Sequence, residues 1–471
     1  MDKNKFYITT AIDYVNAKPH IGHVFEKILS DVIARYHRQK GEEVFFLTGS
    51  DEHGLKIQQA AEEAGKEPQG FVDDMVKSFI DMGDRFDLSW DRYIRTSEDG
   101  HIKAAQELWK RCKAKGDIYL KKYQGLYCTG CESFLKESDL VDGKCPNHDR
   151  EPEIVEEENW FFKLSNYKDK IKELIEKDEL KIVPSHRKKE ILNVLDEIED
   201  FSISRPKEKL SWGVEVPDDN SQNMYVWFDA LTNYISGVDW LVDNEKFDKF
   251  WPADLHVIGK DITRFHAIYW PAMLLSGDIG VPKAILVHGF ITSKGKKMSK
   301  TLGNVINIEE AVNRYGVDAL RYFLIREIPT TEDGDFTWDR FDERYNSDLA
   351  NSLGNLVSRV TNIAEKNDIE FENNNKAQII DLKNYFTYYK LDKALEKVWE
   401  AIHEANKYID DEKPWTIKDN EEKLSSVINN LLSDIKVIGE TLSPFMPETS
   451  EKIIKIFENK KIKKVEPLFP K

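Results

Sequence analysis

Lys18-Pro19-His20-Ile21-Gly22-His23 sets two imidazoles three residues apart around a glycine. The stretch follows an apolar strand-like run, Phe6 to Ala11. It opens a segment in which Val24, Ile28, Val32 and Tyr36 recur every four residues, one face of a helix ending near Gly41. The first N–H groups of a helix lack intrahelical partners, and the macrodipole adds positive charge there. Two imidazoles at such a terminus suit a phosphate, and the glycine admits a close ligand. Taken alone, the stretch reads equally as a Pro-initiated helix with surface histidines.

Two further stretches could do chemistry. Cys128-Thr129-Gly130-Cys131 and Cys145-Pro146-Asn147-His148 form two ligand pairs, using three of the chain's four cysteines. Three thiolates and one imidazole at this spacing suit a closed tetrahedral Zn2+, hence a structural site. Ser293-Lys294-Gly295-Lys296-Lys297-Met298-Ser299-Lys300-Thr301 crowds lysines onto a glycine-containing loop beside a strand end. Lysines on a mobile loop can follow phosphate charge as it moves, although a solvated basic turn has the same composition.

Strand and helix patterns alternate from Lys5 to Gly54, and again through Met224 to Asp229, Leu255 to Gly259 and Ala284 to His288. That alternation predicts a Rossmann-like parallel α/β sheet, with ligands beyond the carboxyl ends of its strands. Ile12 to His23 and Ser50 to His53 then share one rim. No G-x-G-x-x-G fingerprint follows the first strand, which disfavours a dinucleotide. The expected division is a catalytic first half over 1–115, a connective insertion with the zinc knuckle over 116–216 and a catalytic second half over 217–325. A linking segment over 326–345 and an α-helical domain over 346–471 complete it. Within that last part, Trp415 beside Pro414 at a helix boundary reads by residue type as core or cap.

The net charge of −17 argues against non-specific nucleic-acid binding, though local basic clusters can still meet phosphates. There is no signal-peptide h-region, and the best apolar run, Ala267 to Leu275, is broken by Pro271. A cytoplasmic monomer is the expectation.

His20-Ile21-Gly22-His23 and Lys297-Met298-Ser299-Lys300-Thr301 resemble the two signatures of class I aminoacyl-tRNA synthetases, usually written HIGH and KMSKS, in the family's order. The surroundings look like the methionyl-tRNA synthetases in particular. The resemblance covers nearly the whole chain: Ala11 to Gly22, Thr48 to Gly54, the zinc knuckle, Tyr225 to Tyr234, Gly259 to Pro271, the lysine loop and Asn346 to Arg359. Thr301 stands where the family often has serine and keeps the hydroxyl.

The resemblance implies ATP-dependent activation of L-methionine and its transfer to tRNA(Met), with Mg2+ accompanying ATP. It puts His20, His23, Lys297 and Lys300 on the triphosphate as catalytic groups, with Gly22 beside them and Gly259 and Asp261 on the ATP ribose. Asp51 would pair with the substrate ammonium, and Ile12, Tyr14, Trp227, Tyr234 and His266 would surround the methionine. Asn355, Arg359 and Trp415 match the readers of the CAU anticodon; Cys128, Cys131, Cys145 and His148 match zinc ligands. A synthetase for a branched aliphatic amino acid would need a longer editing insertion than 116–216 supplies. A small nucleotidyltransferase would not need the helical domain, and a non-catalytic zinc RNA-binding protein would not need both signatures.

Overall fold

The expected apolar runs form strands that pair side by side. The computed structural model describes residues 4–130, 133–135, 137–146, 149–298, 305–372 and 379–470. The chain packs as two units: Met1–Pro19, Glu42–Asp84 and Ser89–Val287 in one, His20–Gly41, Arg85–Leu88 and His288–Lys471 in the other. The helix opened by the two histidines, Ile21–Gln39, thus groups with the C-terminal residues rather than with the sheet.

In the first unit, strands β1 (Lys5–Thr10), β2 (Asp13–Tyr14), β3 (Glu43–Asp51) and β4 (Arg92–Arg95) build one side of the main sheet. A second group, β5 (Ile118–Cys128), β6 (Ser133–Leu135) and β7 (Glu153–Phe162), lies in the expected insertion, as do β8 (Lys181–Val183), β9 (Phe201–Ser202), β10 (Ser204–Pro206) and β11 (Glu215–Val216). Then come β12 (Asp219–Met224), β13 (Leu255–Gly259) and β14 (Ala284–His288). The main sheet runs β2-β3-β1-β13-β14-β8, with β4 also on β3. β1 pairs in parallel with β3 on one side and β13 on the other, so the order reverses at β1 and leaves a crevice at the strand ends there. β13 and β14 are buried at every residue, as strands covered on both faces must be.

β8 departs from the expected boundaries. It lies within the span expected as an insertion, yet pairs in parallel with β14 of the main sheet. What stands apart is the antiparallel sheet β6-β5-β7-β9. Met224 to Asp229, expected to continue the strand alternation, instead ends β12 and enters the helix Val226–Leu231. A short apolar run does not by itself separate a buried strand from a buried helical turn.

In the second unit, β15 (Ile291–Ser293) and β16 (Lys296–Lys297) form a hairpin, and β15 also pairs with β17 (Gly334–Asp335). The rest is helical, as expected after Phe341. It runs through a π-helical segment Tyr345–Gly354 into Asn355–Lys366, then Leu391–Glu412, Glu421–Leu442 and Pro447–Lys455. Arg321, fully buried, ties the histidine-bearing helix to the other segments of this unit. It meets Asp31 at 2.6 Å and donates to the carbonyls of Phe86, Pro444 and Phe445. No described helix is long and apolar enough to cross a membrane.

Candidate active site

His20 is the N-cap of Ile21–Gln39, and the two imidazoles close a reciprocal capping box. His20 Nδ1 accepts from the Gly22 N–H at 3.1 Å, and His23 Nδ1 accepts from the His20 N–H at 3.1 Å. The rings stack at 3.8 Å and 16°. Each Nδ1 is an acceptor, so each neutral ring carries its proton on Nε2, a tautomer assigned from these bonds. His20 is solvent-exposed, yet the protein atoms around its ring disfavour the charged form and lower its pKa below the usual imidazole value, with Lys27 adding to the effect. Gly22 is required by space. A Cβ there would lie 2.9 Å from His20 Cε1 and 3.0 Å from Nδ1, where the ring must sit to cap. No acidic side chain occupies the first turn, so the positive end of the dipole is not neutralised.

One turn further, Glu26 meets Lys27 at 3.0 Å and His288 at 2.9 Å. Burial pushes the Glu26 carboxyl up, but these partners outweigh it and hold the pKa at about 2. The lysine loop begins in the β15–β16 hairpin, whose turn residues Lys294 (φ 54°) and Gly295 (φ 69°) are both left-handed, the two-residue turn that suits twisted strands. Asp335 pins it, accepting from the Gly295 N–H at 2.9 Å and the Thr292 hydroxyl at 2.8 Å. The Lys297 backbone lies on β16; Lys300 and Thr301 lie outside the described residues.

In the first unit, Asp51 ends β3, 5% exposed, with Tyr14 of β2 in register beside it. The His53 N–H points to Asp51 Oδ1 at 3.4 Å. Trp227, Tyr234 and His266 come together. Tyr234 donates its hydroxyl to His266 Nε2 at 2.6 Å, while His266 Nδ1 donates to the Ile262 carbonyl at 3.0 Å. Trp227 lies flat on Phe265 at 3.8 Å and presents to His266 edge-on at 6.3 Å. Tyr234 and His266 are buried; Trp227 and Ile12 are partly open and pack on the same core. Gly259 ends β13 beside the crevice, and Asp261 follows it, exposed, in a 3-10 turn. A cavity of about 420 Å3 beneath β5 and β7 has Phe265 in its wall.

Sequence reading passed over Phe265, Asp335 and a buried carboxylate, Asp229, bonded to His53 at 2.7 Å and His101 at 2.8 Å. Burial raises the Asp229 carboxyl, and the two imidazoles outweigh this to hold it at about 2. The only signal in the sequence was an Asp inside the apolar run Val226-Trp227-Phe228-Asp229-Ala230-Leu231.

Cys128 ends β5 and Cys145 sits in a turn-rich tip, 3% and 1% exposed. Cys131 and His148 lie outside the described residues. Among the described residues no group of three metal-ligating side chains gathers. In the helical unit, Asn355 and Arg359 are one turn apart on the same helix. Arg359 meets Asp410 at 2.8 Å and lies 5.3 Å from the centre of the Trp415 ring. Trp415 is 50% exposed, so the core reading of its residue type does not hold.

Comparison with known proteins gives the same direction throughout. The family model described as tRNA synthetases class I (M) matches residues 6–153 and 139–361, and that described as the anticodon binding domain of methionyl tRNA ligase matches 361–468. The chain is 43% identical over 470 residues to the methionine–tRNA ligase of Caldanaerobacter subterraneus subsp. tengcongensis, covering 96% of this chain and 73% of that one. It is 42% identical over 472 residues to that of Thermotoga maritima, covering 96% and 75%. The structure of Mycobacterium tuberculosis methionyl-tRNA synthetase in complex with methionyl-adenylate superposes with a TM-score of 0.93 at 36% identity, over 99% of this chain and all of that one. The apo form of the same protein gives 0.85 at 34% identity, over 99% and 98%. With family models spanning nearly all of its length and relatives above forty per cent identity, the chain belongs to the methionyl-tRNA synthetases of class I.

Proposed function

We propose that this chain activates L-methionine with ATP and transfers it to tRNA(Met), and that the residues above divide the work as follows. A methionine carboxylate oxygen attacks the α-phosphorus and pyrophosphate leaves. The terminal ribose hydroxyl of the tRNA then attacks the carbonyl, and AMP leaves. Negative charge builds on phosphoryl oxygens in the first step, so fixed donors aimed at them accelerate it. The observation that carries the reading is the capping box, which leaves His20 and His23 with Nε2–H donors and neutral rings. Lys297 and Lys300 supply charge to the same phosphates, which Mg2+ accompanies. Gly259 and Asp261 receive the ribose, the Asp accepting from its hydroxyls.

Asp51 pairs with the substrate ammonium. The rings of Tyr14, Trp227, Tyr234 and His266, with Ile12, enclose the thioether, each sulfur–aromatic contact contributing about 0.3–1.5 kcal/mol. Tyr234 and His266 satisfy each other's polar atoms, so the wall they offer is apolar toward an apolar side chain.

Cys128, Cys131, Cys145 and His148 would hold one Zn2+. Supporting this, Cys145 is 1% exposed although Asp142, Gly143 and Pro146 around it are exposed. Buried thiols at a turn-rich tip suit a metal centre. Arg359, with Asp410 fixing it, and the open Trp415 ring suit unstacked anticodon bases, with Asn355 reading an edge. A role in protein synthesis supports a cytoplasmic location. Charging assays with radiolabelled methionine test the reading: tRNA with a CAU anticodon should accept it, and the same tRNA with an altered anticodon should lose most acceptance. Equal acceptance by both would refute the anticodon assignment.

A further inference from the structure

We propose that Asp229 is the positioning residue for amino-acid recognition, fixing at once the carboxylate that meets the ammonium and the aromatic wall that meets the side chain. The inference rests on the reading of Asp51 as the ammonium partner. Asp229 is buried on the helix Val226–Leu231, two residues after Trp227. Both of its oxygens are held: Oδ2 by His53 Nδ1 at 2.7 Å, Oδ1 by His101 Nε2 at 2.8 Å. His101 is steadied in turn by Ser236 Oγ at 2.8 Å from its Nδ1. The side chain cannot rotate without breaking two charge-assisted bonds.

His53 carries this constraint to Asp51. Its N–H points to Asp51 Oδ1, and its ring is bound to Asp229. Glu52 between them is clamped independently. Arg95 grips it with two bonds of 2.7 and 2.9 Å, Ser50 and Ser97 donate at 2.6 and 2.5 Å, and Trp212 Nε1 donates to its carbonyl at 2.5 Å. The segment after β3 therefore has one way to sit, and Asp229 sets its far end. An ionised carboxylate is an expensive way to fill a core, with a desolvation cost of several kcal/mol. Here it ties a segment of one side chain's reach to the helix that carries Trp227. Ser236, His101 and Asp229 have the connectivity of a hydrolase triad, but Ser236 is 5% exposed and its hydroxyl also lies 3.4 Å from the Asn233 carbonyl, so no acyl group can reach it.

A double-mutant cycle tests this. Methionine affinity is measured by calorimetric titration of the full chain for Asp51→Asn, Asp229→Asn and the pair, with the KM for ATP as control. Asp229→Asn should weaken methionine binding about tenfold or more, the loss expected when a hydrogen bond between charged groups is misaligned. The KM for ATP should stay unchanged, and the pair should lose less than the product of the two single penalties, because the part of the Asp229 effect that runs through Asp51 is already gone. Penalties that multiply, or methionine and ATP affinities that fall together, overturn the positioning role. If Asp51→Asn binds methionine normally, the ammonium assignment fails and takes this one with it; multiplied penalties overturn this one alone. Should Asp229→Asn not fold, His101→Ala removes one arm only and should show a smaller loss confined to methionine. His101→Gln, whose amide can donate to the same oxygen, should restore it, and no rescue counts against the proposal.

Discussion

Gly22→Ala separates the stability of the histidine-bearing helix from its chemistry. The added Cβ would stand 2.9 Å from His20 Cε1 and 3.0 Å from Nδ1, so the ring must leave its place over the Gly22 N–H. Losing that cap costs about 1 kcal/mol. Replacing glycine by alanine inside a helix returns about 0.5–1 kcal/mol, because the unfolded chain has less freedom to lose. The two nearly cancel, and the melting temperature should hardly move. Activity should not be spared. A displaced His20 no longer aims Nε2–H, and removal of one such donor costs about 2.7–4 kcal/mol, or about 10²–10³ in kcat. The assay is methionine-dependent ATP–pyrophosphate exchange beside thermal unfolding of the same preparation. An alanine variant with near-normal kcat would refute the argument from tautomer and aim; one that lost activity and stability together would make Gly22 a folding residue.

Other outcomes follow from the same geometry. Asp31→Asn leaves Arg321 buried without its counter-charge, and denaturant melts should show a loss of about 3–5 kcal/mol; a loss under about 1 kcal/mol would mean the carbonyls of Phe86, Pro444 and Phe445 suffice. Their buried partners hold the carboxyls of Glu26 and Asp229 at about 2 when folded, below the ordinary values of 4.5 and 3.8. Their stabilisation is complete above those unfolded values and is lost as pH falls from about 4.5 toward 2, on the order of 3 kcal/mol for Glu26 and about 2 kcal/mol for Asp229. Glu26→Gln should flatten the acid limb of a stability–pH curve, and an unchanged limb would contradict the linkage. Trp415→Ala should slow charging of tRNA while sparing pyrophosphate exchange, because the ring is half exposed and supports little packing; a parallel fall in exchange would make it structural.

Much of this was legible in the sequence, for physical reasons that differ by element. The helix Ile21–Gln39 showed itself because Val24, Ile28, Val32 and Tyr36 keep one face over more than three turns. The main strands showed themselves as apolar runs because both faces of the sheet are covered. β8 did not, since three residues carry no period and the partner strand is a hundred residues away. The π-helical start of the anticodon-side helix was read simply as helix, since one or two turns do not separate the two spacings. Within the site, residue types pointed to His20, Asp51 and the rings, but the state of each imidazole depends on what its other nitrogen touches. Gly22 was read as room for a ligand; the space it frees is filled by the His20 ring. Asp229 was hidden because its partners, His53 and His101, come from distant segments.

The central claim is that these residues activate methionine. ATP–pyrophosphate exchange, run with each standard amino acid in turn, tests it most directly. Exchange that depends on methionine, with the other amino acids near background, is the predicted result. Exchange driven by a different amino acid, or by none, would contradict the account.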